Sequence, residues 1–221
     1  MLKSLRLRAL QFGSDTSGSM SVETVLIFPL LLWFYLSTFT YFDAYRTQGT
    51  NIKATYTIAD AISREPGGIF PEHLDTMYTM MQFLNNSSHN ARLRVTVFSR
   101  DTDNPDNFIL GPTGWSCTRG SGSANFRKHN AASLNAMKSM IPPSPAPDQL
   151  IMVETFIDYA PPFFARLFDD ETAKEGMIRK GNPDGIMIGL APSTFTHREI
   201  LRPRSQAAQV PLMPIPNGTC N

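Results

Sequence analysis

From Thr24 to Phe42 the chain reads TVLIFPLLLWFYLSTFTYF, with neither a charged residue nor a glycine. Wound as a helix, this run extends ~28 Å, close to the ~30 Å hydrocarbon core of a bilayer. A secretory h-region would be shorter, roughly 7–15 residues, and a small-residue cleavage site would follow it; nothing clean of that kind follows Phe42. A helix packed on a core would carry a polar face, and this run has almost none. The pattern therefore predicts one transmembrane helix. Tyr41 and Tyr45 fall where an aromatic belt would sit, so the outer interface is expected near Tyr41 to Arg46. Pro29 lacks a backbone donor, and a kink or broken turn is expected there.

Beyond Asp43 a helical period continues, with Tyr45, Ile52, Tyr56 and Ala59 on one face, until Glu65-Pro66-Gly67-Gly68 ends it. The anchor and this stalk form either one helix of about forty residues or two helices meeting near Gly49. Pro71 to Leu84 reads as an amphipathic helix with Leu74, Met77, Tyr78, Met81 and Leu84 as its apolar stripe. Arg92 to Phe98 alternates with period two, which predicts a half-buried strand whose arginines face water. A loop from Arg100 to Gly122 contains Gly114-Trp115-Ser116-Cys117, and Ala131 to Ile141 forms a short helix stopped by prolines. Leu150 to Tyr159 opens on an apolar run that suits a central strand, with Glu154 and Asp158 on the same face as Met152. Gly185–Leu190 and Thr194–Ile200 are expected to add a hairpin, and residues 203–216 a Pro-rich tail. The fold class is α+β: a long N-terminal transmembrane helix continuing into a stalk, then a small domain with an antiparallel sheet and flanking helices. The expected divisions are a leader at 1–18, the transmembrane helix and stalk at 19–64, and an extracytoplasmic domain at 65–221.

Charge orients this plan. Lys3, Arg6 and Arg8 make the first eighteen residues basic, and the positive-inside rule keeps such a leader in the cytoplasm while the C-terminal part crosses. Glu23 then stands alone at the head of the apolar run. A carboxylate placed at the bilayer centre costs roughly 2.5–3.5 kcal/mol on insertion scales, so Glu23 needs an interfacial seat or a partner. In one reading it marks the membrane boundary and favours the helix N-terminus through the dipole. In the other the spacing matters: a cut after Gly18 leaves Ser19 as a new N-terminus, with Glu23 one helical turn along to neutralise its ammonium within a chain or between chains.

The segment Gly18-Ser19-Met20-Ser21-Val22-Glu23, followed by an apolar helix, resembles the class III leader of type IV prepilins, and SVETVLIFPLLL with its internal Pro29 resembles the TadE-like pseudopilins of tight-adherence (Flp) pilus systems. The resemblance covers about residues 12–55. It implies that Gly18 ends the leader, that Ser19 is the mature N-terminus, that Glu23 serves processing and assembly, and that Pro29 is the family's helix proline. The partners it implies are the lipid bilayer, a prepilin peptidase acting on this chain as substrate, and other pilin-like or pilus-assembly proteins. The compartment it implies is the bacterial inner membrane, single-pass, with the C-terminal domain periplasmic.

Composition narrows the remaining classes. A net charge of +1 lacks the basic surplus of a nucleic-acid binder. His73, His89, His129 and His197 are scattered and read as surface or loop residues, with no metal-ligand spacing among them. Asp101 to Asp106 mimics a calcium loop only superficially, because Pro105, Asp106 and Pro112 occupy positions that the loop reserves for other residues. No nucleophile elbow or P-loop occurs, so no catalytic residue, metal or cofactor is expected. Cys117 and Cys220 form no CxxC; in an oxidising compartment their pairing is the default, and otherwise they are two thiols. The functional expectation is a noncatalytic pseudopilin-like component of pilus assembly. The alternative is a single-pass membrane protein whose extracytoplasmic domain binds a ligand unrelated to pili.

Overall fold

The computed structural model describes residues 19–65, 68–85, 90–110, 114–121, 126–146, 148–161, 190 and 192–204. Its longest element, α1 (Ser19–Ser63), is one 45-residue helix that runs without interruption through both Pro29 and Gly49. The two-helix alternative is thereby set aside. Nothing lies within 4 Å of a Cβ built on Gly49, so that glycine marks no close approach or break. Threonines 24, 38, 40, 50, 55 and 57 each donate their hydroxyl to the carbonyl four residues back, which hides these polar groups inside the helix.

After a short connection, α2 (Pro71–Leu84) begins with Pro71 in its first turn, where a missing N–H costs nothing. The sheet has five antiparallel strands: β1 (Asn90–Arg100), β2 (Phe108–Ile109), β3 (Trp115–Arg119), β4 (Gln149–Tyr159) and β5 (Ser193–Leu201). Both β2 and β3 pair with β1, β1 pairs with β4, and β4 pairs with β5. The expected central strand is central, lying between β1 and β5. Strand β5 pairs with β4; of the expected hairpin's other arm, residues 185–189 lie outside the described residues and Leu190 is not in a strand. Trp115-Ser116-Cys117, expected in a loop, forms β3 instead, because Val97, Thr96 and Val95 of β1 offer them an open ladder.

Alternation along β1 and β4 gives the sheet two covered faces. One face presents Ala91, Leu93, Val95 and Val97 with Ile151, Val153 and Ile157 to Ala54, Ile58 and Ile62 of α1 and to Leu74 and Met81 of α2. The other packs Phe98, Leu150 and Met152 under Phe108, Leu134 and Ile141, where α3 (Ala131–Ala136) and a 3-10 turn at Lys138–Met140 close over it. The helix predicted over Ala131–Ile141 is thus divided.

The docked face of α1 differs from the expected one. Of the expected face Ala59 is wholly buried and Ile52 half-buried, but Tyr45 and Tyr56 are 71% and 49% exposed, while Ala44, Asn51, Thr55, Ile58 and Ile62 are buried. The period is right but the face is turned toward the preceding residues, because it includes the polar pair Asn51 and Thr55. Thr55 meets Thr155 of β4 hydroxyl to hydroxyl at 2.6 Å.

Gly120 closes β3 at φ +96°, and a Cβ there would lie 2.7 Å from the Ala91 carbonyl oxygen and 3.0 Å from the Tyr78 hydroxyl. Gly120→Ala is therefore expected to destabilise the domain by about 1–3 kcal/mol, read as a lowered urea midpoint with an unchanged m-value.

Candidate functional site

Of the residues singled out in the leader region, Gly18 lies outside the described residues. Ser19 is the first residue of α1, and Glu23 and Pro29 follow on it. Every residue from Met20 to Tyr35 is exposed, including Val25, Leu26, Phe28, Leu30, Leu31, Trp33 and Phe34. Over the same stretch Glu23 is the only charged side chain. This helix is long and apolar enough to cross a membrane. Cys117 is buried on the helix-facing side of β3, away from α1's free half, and Cys220 lies outside the described residues. The structure therefore unites Ser19, Glu23 and Pro29 on one helix and leaves Cys117 in the core.

Where the free half ends, the domain takes hold. The Tyr159 hydroxyl, at the end of β4, lies 3.2 Å from the Thr40 carbonyl and 3.1 Å from Asp43 Oδ2, donating toward both. Burial first, then the charge of Asp43 and the hydrogen bond to it, push the Tyr159 phenol well above its ordinary value. The phenol stays protonated and remains a donor. At the other end of the docked half, Arg204 donates its backbone N–H to the Ser63 carbonyl at 2.7 Å and reaches Asp60 with its side chain at 3.2 Å.

The second sheet face holds a charged network whose β1 arginines the periodic pattern had assigned to water. Arg94, Glu154 and Arg198 stand directly opposite one another on β1, β4 and β5. Arg94 Nε donates to Glu154 Oε2 at 2.6 Å, and Arg198 donates to Oε1 through Nε at 2.8 Å and Nη2 at 2.6 Å. His129 Nε2 lies 2.8 Å from Oε2, and Arg94 Nη1 donates to the Arg127 carbonyl at 2.8 Å. Burial alone would raise the Glu154 pKa; hydrogen bonds from His129 and Arg94, with the charges of Arg94 and Arg198, outweigh it and hold the carboxyl at about 2. Arg92 pairs with Asp158 at 2.5 Å, and Thr194 donates to the same carboxylate oxygen at 2.7 Å. The Arg92 and Arg94 guanidiniums lie 5.3–5.9 Å from the centres of the Phe126 and Phe156 rings.

Two expectations are thus corrected. Arg92 and Arg94 are buried, since a chain segment covers this face; His129 lies on a loop as expected but is not at the surface. The available signal was complementarity: arginines two apart on one strand and acids four apart on the next share a face once the strands run antiparallel.

His129 Nδ1 lies 3.0 Å from Ser133 Oγ, so serine, histidine and glutamate are linked in a chain. Ser133 is the return arm of the capping box with Asn130 at the start of α3, and its hydroxyl donates to the Asn130 carbonyl at 2.8 Å. Among the described residues no group of three or more His, Cys, Asp or Glu side chains is placed to hold a metal ion. Comparison of the chain with protein-family models, curated proteins and solved structures returned no match.

Proposed function

We propose that the protein is a noncatalytic, pilin-like component of a tight-adherence pilus assembly system, anchored in the bacterial inner membrane by the free half of α1. The observation that carries this reading is the division of one continuous helix: bare and apolar from Met20 to Tyr35, then docked on an antiparallel sheet from Ala44 to Ser63. A helix whose apolar surface is uncovered all round has lipid or other apolar helices as its favourable surroundings. The basic leader places the N-terminus in the cytoplasm and the domain in the periplasm.

In this reading a prepilin peptidase cuts between Gly18 and Ser19. The new Ser19 ammonium and Glu23 then neutralise each other, in one chain or between neighbours, and set helix register during assembly. An oxidising periplasm also makes Cys117–Cys220 pairing the expected state, which ties the C-terminal tail to β3.

Intact mass spectrometry of membrane-purified protein, with and without a prepilin peptidase, tests both points. The expected result is loss of residues 1–18 only with the peptidase, abolished by Glu23→Ala, and a mass lower by two hydrogens before reduction. A leader retained with active peptidase would sink the processing claim and favour an ordinary single-pass protein with a ligand-binding domain.

A further inference from the structure

We propose that the domain touches the bilayer a second time, through Phe83 and Leu84 at the end of α2, whose partner is the outer lipid interface of the membrane that α1 spans. The proposal rests on the membrane reading above and adds a surface to it.

Register fixes the height of these residues. Tyr159, bonded to Thr40 and Asp43, marks the level at which the free half of α1 ends. On the neighbouring strand, Asn90 stands opposite Asp158, so β1 begins at that same end of the sheet and runs away from it. Helix α2 runs the other way along β1. Its Asp75 pairs with Arg119, which stands opposite Leu93, while Tyr78 donates to the Ala91 carbonyl at 3.1 Å. Three residues along α2 thus descend two residues along β1. Five further residues, ~7.5 Å of helix, carry Phe83 past Asn90 to the level of Tyr159 and of the exposed Tyr41, Phe42 and Tyr45 of α1.

At that height the chain places an apolar tip. Phe83 is 80% exposed and Leu84, at the edge of the buried stripe, 40%, while Met81, across the helix from Phe83, is wholly buried. Asn85 closes the helix end through its backbone N–H and its side-chain amide, both donated to the Met81 carbonyl at 3.0 Å. The last turn therefore presents its two large apolar side chains without an unsatisfied donor at Asn85 beside them. A single exposed phenylalanine is unremarkable on a soluble surface; one held level with an aromatic belt matches the seat that amphipathic rings occupy in interfaces.

Three indoles at three heights provide the test, using the full chain in vesicles of phosphatidylcholine with and without bromine on the upper acyl carbons. Trp33 lies in the free half of α1, and Trp115 pairs with Val97 near the far end of β1, as an indole that lipid should not reach. A Trp33→Phe chain gives the Trp115 baseline, and Phe83→Trp is added to it. The expected result is that bromine lowers the added emission roughly twofold, quenches Trp33 in the native chain and spares Trp115. If Trp33 is quenched while the introduced indole is not, the second contact is refuted and the membrane reading stands. If Trp33 itself escapes quenching, both fall.

Discussion

Replacing Glu154 with alanine is expected to cost about 3–5 kcal/mol of domain stability, the range for breaking a buried ion pair from one side. The cost comes less from lost attraction than from what remains. Arg94 would be left buried with its Nε facing no carboxylate, Arg198 would lose both of its bonds to the carboxylate, and His129 would lose its Nε2 partner. Urea unfolding of the detergent-solubilised full chain, followed by circular dichroism, reads the change. A loss below about 1 kcal/mol would mean that the network is idle. Exchanging the row together, as Arg94→Met with Glu154→Leu and Arg198→Met, should cost less than the single change, because no uncompensated charge of the row stays inside.

The same carboxyl predicts an acid limb. Its folded pKa of about 2 lies below the ordinary 4.5, so its contribution is complete above about 4.5 and is lost as pH falls toward 2. Stability should therefore decline through that window in the native chain, and Glu154→Gln should remove most of this slope.

The legible parts of the fold were those set by local pattern. The apolar run, the proline and glycine stops and the period-two strands located α1, α2, β1 and β4 within a few residues. Side-chain direction was legible only in part. The stalk face was placed correctly at Ala59 but not at Tyr45 and Tyr56, because Asn51 and Thr55 point inward, and a hydrophobic period gives weight only to apolar positions. The arginines of β1 were assigned to water because alternation tells which residues share a face, not whether a distant segment covers it. Phe126 to Ile141 supplies that cover, and nothing local to β1 announces it. Gly18, Ser19 and Glu23 are the reverse case. The processing proposed for them rests on sequence spacing alone, whereas the Glu154 network exists only after four segments meet.

The docking of α1 makes the second large prediction. Ile58 is wholly buried between the helix and the sheet, so Ile58→Ala should cost about 2–5 kcal/mol through lost burial and the cavity left behind. Ile58→Asp should cost more than Ile58→Ala, since the new carboxylate would be buried among Ala54, Ile62 and the aliphatic side chains of the sheet, and it should release the lower stalk from the sheet. Lys53 and Arg46 are exposed on the docked half, and helical backbone resists trypsin until it opens. Trypsin should therefore cut at these two sites markedly faster in Ile58→Asp than in the native chain. Ala61→Asp is the control: it adds the same charge three residues on, at an exposed position, and should cost less than about 1 kcal/mol. Equal cleavage in both variants would show that Ile58 does not hold the helix. Faster cleavage in Ile58→Asp alone would mean that the sheet and the free half of α1 move as one body only while this face is filled. In the pilus-assembly reading proposed above, such a stalk would carry a register from the bilayer to the domain.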